Sequence, residues 1–197
     1  MSRRFVLLDR DGTVNEEIGY VLEPEALRLI PGAADAIRRL RALGLGVVVV
    51  TNQSPVGRGW IDERVLSAIH RRLRDLLRAA GTDVDGIEHC PHGPDDGCGC
   101  RKPATGMVVR AAHAHGFDPS ESFVVGDHAV DMALGRALGA RSILVRTGHG
   151  EKELASGADQ LADHVAVDLR EAADLIEREV LADIEVEASP LGDGAAG

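Results

Sequence analysis

Short runs of consecutive apolar residues alternate along this chain with longer stretches whose apolar positions recur every three or four residues. RFVLLD (4–9), LGVVVVTN (45–52), DGIEHC (85–90), ESFVVGD (121–127), RSILVRTG (141–148) and DHVAVD (163–168) predict strands. The longest of these are β-branched and continuous rather than alternating, the pattern of strands buried on both faces. Between them, GAADAIRRLRALG (32–44), DERVLSAIHRRLRDLLRAA (62–80), ATGMVVRAAHAHG (104–116), AVDMALGRALG (129–139) and LREAADLIEREVLADI (169–184) predict helices. In the second of these, Val65, Leu66, Ile69, Leu73, Leu76 and Leu77 make one apolar stripe. Asp62 stands where an N-cap is needed and Gly81 where the helix must stop. Thr105 is placed to cap the third helix.

Strand–helix alternation of this kind predicts an α/β fold: a Rossmann-like open parallel sheet with helices on both faces. One domain is expected over residues 1–182, followed by a disordered tail over 183–197 that ends in the small, Gly-rich EASPLGDGAAG. Such sheets bind ligands at the C-terminal ends of their strands. The residues there are Asp9 with Asp11, Thr51 with Asn52, Cys90, and Asp127.

DRDGT (9–13) sets two carboxylates two residues apart where an apolar strand gives way to Gly12. Such a pair can share a hard cation such as Mg²⁺, or divide into a nucleophile and an acid/base, and it can equally be a solvated turn. TNQS (51–54) offers a hydroxyl, two amides and backbone N–H groups to a phosphate, or is a polar loop. Lys102 can balance the charge of a phosphoryl group and Arg101 can grip a second anionic or hydroxylated part of a ligand, unless both are merely solvated. Asp127 can complete a Mg²⁺ site or cap a helix.

Composition narrows the partners. The chain has 197 residues, 44% of them hydrophobic but only 3% aromatic, and a formal charge of −10. That balance argues against nucleic acid and anionic membranes and leaves room for a small anionic substrate in a locally positive site. No apolar run approaches a membrane span, and the one after Arg3 and Arg4 is too short for a signal sequence. A cytoplasmic protein is expected, acting as a monomer.

All three cysteines fall within CPHGPDDGCGC (90–100). Cys90-x-His92-x5-Cys98-x-Cys100 presents three thiolates and one imidazole, a closed tetrahedral set for structural Zn²⁺. The alternative is a set of free structural cysteines. As a staple, zinc would give shape to a loop that has no apolar residues of its own, and deliver Arg101 and Lys102 to the phosphate.

The carboxylate pair, the Thr/Asn loop, the lysine and the third acid, in that order, resemble the four motifs of the haloacid-dehalogenase-like phosphohydrolases over about residues 4–150. The resemblance implies that Asp9 forms an aspartyl-phosphate and that Asp11 protonates the leaving group and then activates water. Thr51 and Lys102 would hold the phosphoryl oxygens. Asp9, Asp127 and the backbone carbonyl of Asp11 would bind Mg²⁺. The short inserts after Asp11 and Thr51 leave no room for a large cap domain.

LDRDGTVN, GYV, TNQS and the Cys-x-His…Cys-x-Cys-Arg-Lys-Pro run further resemble the branch acting on D-glycero-D-manno-heptose 1,7-bisphosphate at C7. That implies substrate contacts from Glu17, Ile18, Gly19, Tyr20, Thr51, Asn52, Gln53, Ser54, Arg101, Lys102 and His128. Three features depart from the usual pattern. His128 replaces a common lysine, Pro55 a usual glycine, and the zinc loop has the short form also seen in histidinol-phosphate phosphatases. Histidinol phosphate is therefore the alternative substrate, and a non-catalytic zinc-stapled binding protein the remote one. Arg58, Tyr20 and Trp60 are further candidates to face a sugar.

Overall fold

The apolar runs form a single six-stranded sheet in the computed structural model, which describes residues 3–188. In chain order the elements are β1 (Phe5–Leu8), α1 (Ala33–Ala42), β2 (Gly46–Asn52), the short α2 (Ser54–Gly57), α3 (Glu63–Ala79), β3 (Gly86–Cys90) and α4 (Gly106–His115). They continue with β4 (Phe123–Gly126), α5 (Ala129–Leu138), β5 (Arg141–Val145), α6 (Gly150–Ala155), β6 (His164–Ala166) and α7 (Leu169–Ala188). The strand order is β3-β2-β1-β4-β5-β6, and every neighbouring pair is parallel.

Successive strand residues point to opposite faces, and the core divides accordingly. Val6, Leu8, Val47, Val49 and Val125 join α1, α3 and α7 on one side. Phe5, Leu7, Val48, Val50 and Val124 meet α4 and Leu134 of α5 on the other. The continuous apolar runs thus belong to strands covered twice, as their sequence predicts. Asp62 caps α3 as expected, accepting the Arg64 and Val65 N–H groups at 2.9 Å.

Strand order reverses between β1 and β4, so chain segments leaving these strands diverge and open a cleft at their C-terminal ends. Between β1 and α1 the chain forms only a 3-10 turn at Pro24–Ala26 and isolated bridges of Asn15 with Asp11 and Leu29. Between β2 and β3 stand α2 and α3 alone. Neither connection carries a cap.

Some expectations change. Thr105 precedes α4 but makes no side-chain cap bond. Pro55 lies in the first turn of α2, where its missing N–H is no loss, so residues 54–57 are helical rather than a stiffened loop. α7 runs to Ala188, past the boundary placed at 182; the remainder of the expected tail lies outside the described residues. Among the described residues no helix is long and apolar enough to cross a membrane.

Leu73 is fully buried in the larger layer, between α3 and the sheet. Leu73→Ala is expected to lower unfolding stability by about 2–5 kcal/mol, the cost of lost burial plus a cavity. Leu181, 46% exposed on α7, serves as the control, and its alanine variant should stay within about 0.5 kcal/mol in the same urea titration.

Candidate active site

The cleft holds about 350 Å³ and its floor is made by strand ends. Asp9 follows β1, its N–H bonded to the Val125 carbonyl at 2.9 Å. Asp127 follows β4, and Asp131 lies in the first turn of α5. One oxygen from each of these three carboxylates falls within 4.8 Å of the others. An all-oxygen, acidic cluster of this kind fits a hard cation such as Mg²⁺. The Lys102 ammonium sits beside it, 2.8 Å from Asp9 and 2.6 Å from Asp131.

Burial and crowding set the proton affinities. Burial, partly offset by Lys102 and reinforced by Asp131 and Asp11, raises the Asp9 carboxyl to about 7. Burial and then Asp9 raise Asp127 to about 8. Lys102 is raised despite its burial, because Asp131 and Asp9 hold its charge. Asp131 was not in the expected metal set, which was Asp9, Asp127 and the backbone carbonyl of Asp11. Asp131 could have been found in GDHAVD, since it follows Asp127 by about one helical turn where α5 begins.

Asp11 lines the cleft, but its carboxylate is held from behind. Arg10, with a fully buried side chain, grips it in a fork at 2.9 and 2.8 Å. Asn15 donates at 2.9 Å and Gln53 at 2.9 Å. Burial works the other way, yet the Arg10 charge and these donors keep the carboxyl below its ordinary value. Gln53 also donates to the Thr51 hydroxyl at 2.8 Å, joining the two strand ends. Arg10 and Asn15 were not singled out from the sequence.

Lys102 is delivered by two supports. Asn52, at the end of β2, accepts its N–H at 2.9 Å and donates to its carbonyl at 3.3 Å. This reciprocal pair engages the amide that was expected to face substrate. The second support is the cysteine loop. Cys90, Cys98 and Cys100 form no disulfide; their sulfurs lie 3.1–3.6 Å apart, and His92 Nδ1 is 3.5 Å from Cys90 and 3.3 Å from Cys100. A tetrahedron with Zn–S bonds of about 2.3 Å has edges of about 3.7 Å, so the four atoms frame one zinc ion and leave no open position. Arg101 bonds the His92 carbonyl at 3.2 Å, and the Cys90 carbonyl accepts the Gln53 N–H at 2.7 Å.

The rim holds Glu17, Gly19, Tyr20, Asn52, Arg101 and His128 of the expected substrate contacts. Ile18, half exposed, and Ser54, buried at the start of α2, do not line the cleft. Trp60 meets Tyr20 edge to face at 5.0 Å and carries Arg58 on its ring at 5.1 Å, so Arg58 packs outside the cleft rather than in it. The loop after β5 was missed. Its Thr147 hydroxyl bonds the Gly12 carbonyl at 2.5 Å, the His149 N–H bonds Asp127 at 2.7 Å, and the His149 ring lines the cleft. It stands at the C-terminal end of a parallel strand, the place where the other candidates were sought.

Residues 99–172 match a family model described as HAD-hydrolase-like. The D-glycero-beta-D-manno-heptose-1,7-bisphosphate 7-phosphatase of Pseudomonas aeruginosa is 43% identical over 155 residues, covering 78% of this chain and 87% of that protein. The enzyme of the same name from Bordetella bronchiseptica is 39% identical, over 89% of this chain and 99% of its own. A crystal structure of D,D-heptose 1,7-bisphosphate phosphatase from B. bronchiseptica, complexed with magnesium and phosphate, superposes with a TM-score of 0.83 at 39% identity, again over 89% and 99% of the two chains.

Two outcomes follow from the charges and the loop. In metal-free protein Asp9 and Asp127 retain protons up to about pH 7 and 8, and a cation must displace them. Mg²⁺ affinity should therefore rise from pH 6 to about pH 8.5, with proton release seen by calorimetry in buffers of differing ionisation enthalpy; a flat profile would contradict the raised carboxyls. Native mass spectrometry should find one zinc per chain, and Cys98→Ser should lose it together with phosphate affinity. Full zinc occupancy in that variant would remove Cys98 from the site.

Proposed function

This chain belongs to the haloacid-dehalogenase-like hydrolases, and from that premise we propose that it removes the C7 phosphate of D-glycero-D-manno-heptose 1,7-bisphosphate through an aspartyl-phosphate. The observation that carries the reading is the Asp9 carboxylate, 2.8 Å from buried Lys102 and within one cation's reach of Asp127 and Asp131. Similarity to enzymes named for that reaction, across most of the chain, supports the substrate.

In this reading an oxygen of Asp9 attacks phosphorus while the bond to the C7 oxygen breaks, and the departing alkoxide takes a proton from Asp11. Asp11, now a carboxylate, accepts a proton from water; the water oxygen attacks the phosphoryl group, frees Asp9 and yields inorganic phosphate. Asp9 and Asp127, with Asp131, would hold magnesium, which supplies charge neutralisation for the phosphoryl oxygens. Lys102 and Thr51 flank the same oxygens. The fork from Arg10 keeps Asp11 ionised, the form required in the second half of the reaction. For the first half Asp11 must leave that fork and take up a proton from solvent, the proton it then gives to the departing alkoxide.

Asp9→Asn should abolish turnover with an unchanged circular dichroism spectrum, because an amide cannot take the phosphoryl group; retained activity would shift the attack to water. A phosphate-release assay should give heptose 1,7-bisphosphate a kcat/KM at least about a hundredfold above histidinol phosphate. Arg101, a cation on the rim, suits a second phosphate and disfavours an amine. Equal turnover of histidinol phosphate would move the assignment to that substrate.

A further inference from the structure

We propose that His149, with His128 beside it, is the seat of the phosphate that the reaction leaves on the sugar. This rests on the substrate being a sugar bisphosphate. Among the described residues, five basic side chains line the cleft: Arg10, Arg101, Lys102, His128 and His149. Arg10 is engaged in its fork to Asp11, and Lys102 lies between Asp9 and Asp131. Of these five, Arg101 and the two imidazoles remain to meet a second phosphate, in a cleft that is also lined by the carboxylates of Asp9, Asp11, Glu17 and Asp127. A dianion enters such a cleft only where positive or N–H-bearing groups are concentrated.

The geometry of the pair suits an anion. The two rings stand at 79° with centroids 6.0 Å apart, a gap that one phosphate can bridge through N–H···O bonds of about 2.8 Å to two of its oxygens. Each imidazole has a carboxylate behind it: His128 Nε2 is 3.4 Å from Glu153, and His149 Nε2 is 3.9 Å from Glu17. Both contacts are too long to hold the rings firmly, and both rings are partly exposed. His128 Nδ1, buried, has no hydrogen-bond partner among the described residues. The loop carrying His149 is nevertheless fixed, through its own N–H to Asp127 and through Thr147 to Gly12. The ring is therefore presented from an anchored backbone, and that anchor uses main chain that a side-chain substitution leaves in place.

The test compares heptose 1,7-bisphosphate with heptose 7-phosphate, which lacks the retained group, and measures inhibition by the sugar 1-phosphate product, which carries only that group. Wild-type protein should prefer the bisphosphate. His149→Ala should reduce that preference about tenfold through KM and raise the Ki of the 1-phosphate in proportion, while His149→Arg, which supplies N–H donors and a cation, should restore most of it. A wild-type preference that persists in His149→Ala overturns the inference alone. Equal losses on both substrates also overturn it, since they would mark a support for the Asp127 loop. A wild type with no preference for the bisphosphate overturns the substrate reading, and the inference with it.

Discussion

Lys102 brings a positive charge to a place where Asp9 and Asp131 would otherwise repel each other, with its ammonium 2.8 and 2.6 Å from their oxygens and almost no exposure to solvent. Removing one member of such a buried group leaves an uncompensated charge, a loss of about 3–5 kcal/mol where it has been measured. The carboxylates are thereby held close together, ready for a cation, at a spacing they could not keep alone. The raised proton affinities of Asp9 and Asp127 express burial first and then the same crowding: the metal-free cluster relieves its excess negative charge with protons, and a divalent ion relieves it better. The chemistry proposed for Asp9 depends on this balance, since a nucleophilic carboxylate must be both buried and ionised.

A lysine at that point must arrive on a rigid backbone, and two unrelated devices provide one. The Asn52 amide clasps the Lys102 peptide from the end of β2, so the sheet itself sets one coordinate. The cysteine loop sets the other. Between His92 and Cys100 it carries no branched aliphatic or aromatic side chain that could fold it, and zinc held by the three thiolates and the one imidazole would replace the missing core. Gln53 ties these supports together, donating from its side-chain amide to the Asp11 carboxylate and the Thr51 hydroxyl while its main-chain N–H donates to the Cys90 carbonyl. Asn52, Gln53 and Lys102 themselves line the cleft, and these contacts decide where its charges stand.

The strands and long helices could be read in the sequence because burial on two faces imposes a pattern on every residue, and the strand-end rule then pointed to Asp9, Asp11, Thr51 and Asp127, with Lys102 legible beside the cysteine run. The zinc ligands were legible for a different reason: soft ligands at short spacing have few other uses. What escaped reading depended on tertiary neighbours. Arg10 looks like any basic residue until it is found buried against Asp11. Asp131 lay inside a quoted motif, but only the first turn of α5 rotates it toward Lys102. Asn52 presents the same amide in a string whether it faces a ligand or a peptide bond. The end of β5 offered no carboxylate or thiol to draw notice, and His149 was passed over for that reason. Ile18 and Ser54 erred in the other direction, because neighbours along the chain need not share a wall of the cleft.

Two glycines clasp the Asp127 carboxylate. Gly12 has φ +76° and Gly148 φ +56°, and a Cβ built on either would lie 2.1 or 2.2 Å from the same Asp127 oxygen; at Gly148 it would also come within 2.6 Å of the Gly12 Cα. Side chains are excluded there twice over, by backbone conformation and by space. The loops after β1 and β5 consequently meet main chain to main chain across the Asp127 carboxylate. At this point the floor of the cleft is set by backbone on either side of one carboxylate. The rim is built from residues that point away from that contact, Glu17, Tyr20, Arg101 and His149 among them. Ancestry and engineering alike can therefore rewrite which molecule is admitted without disturbing the place where its phosphate is cut.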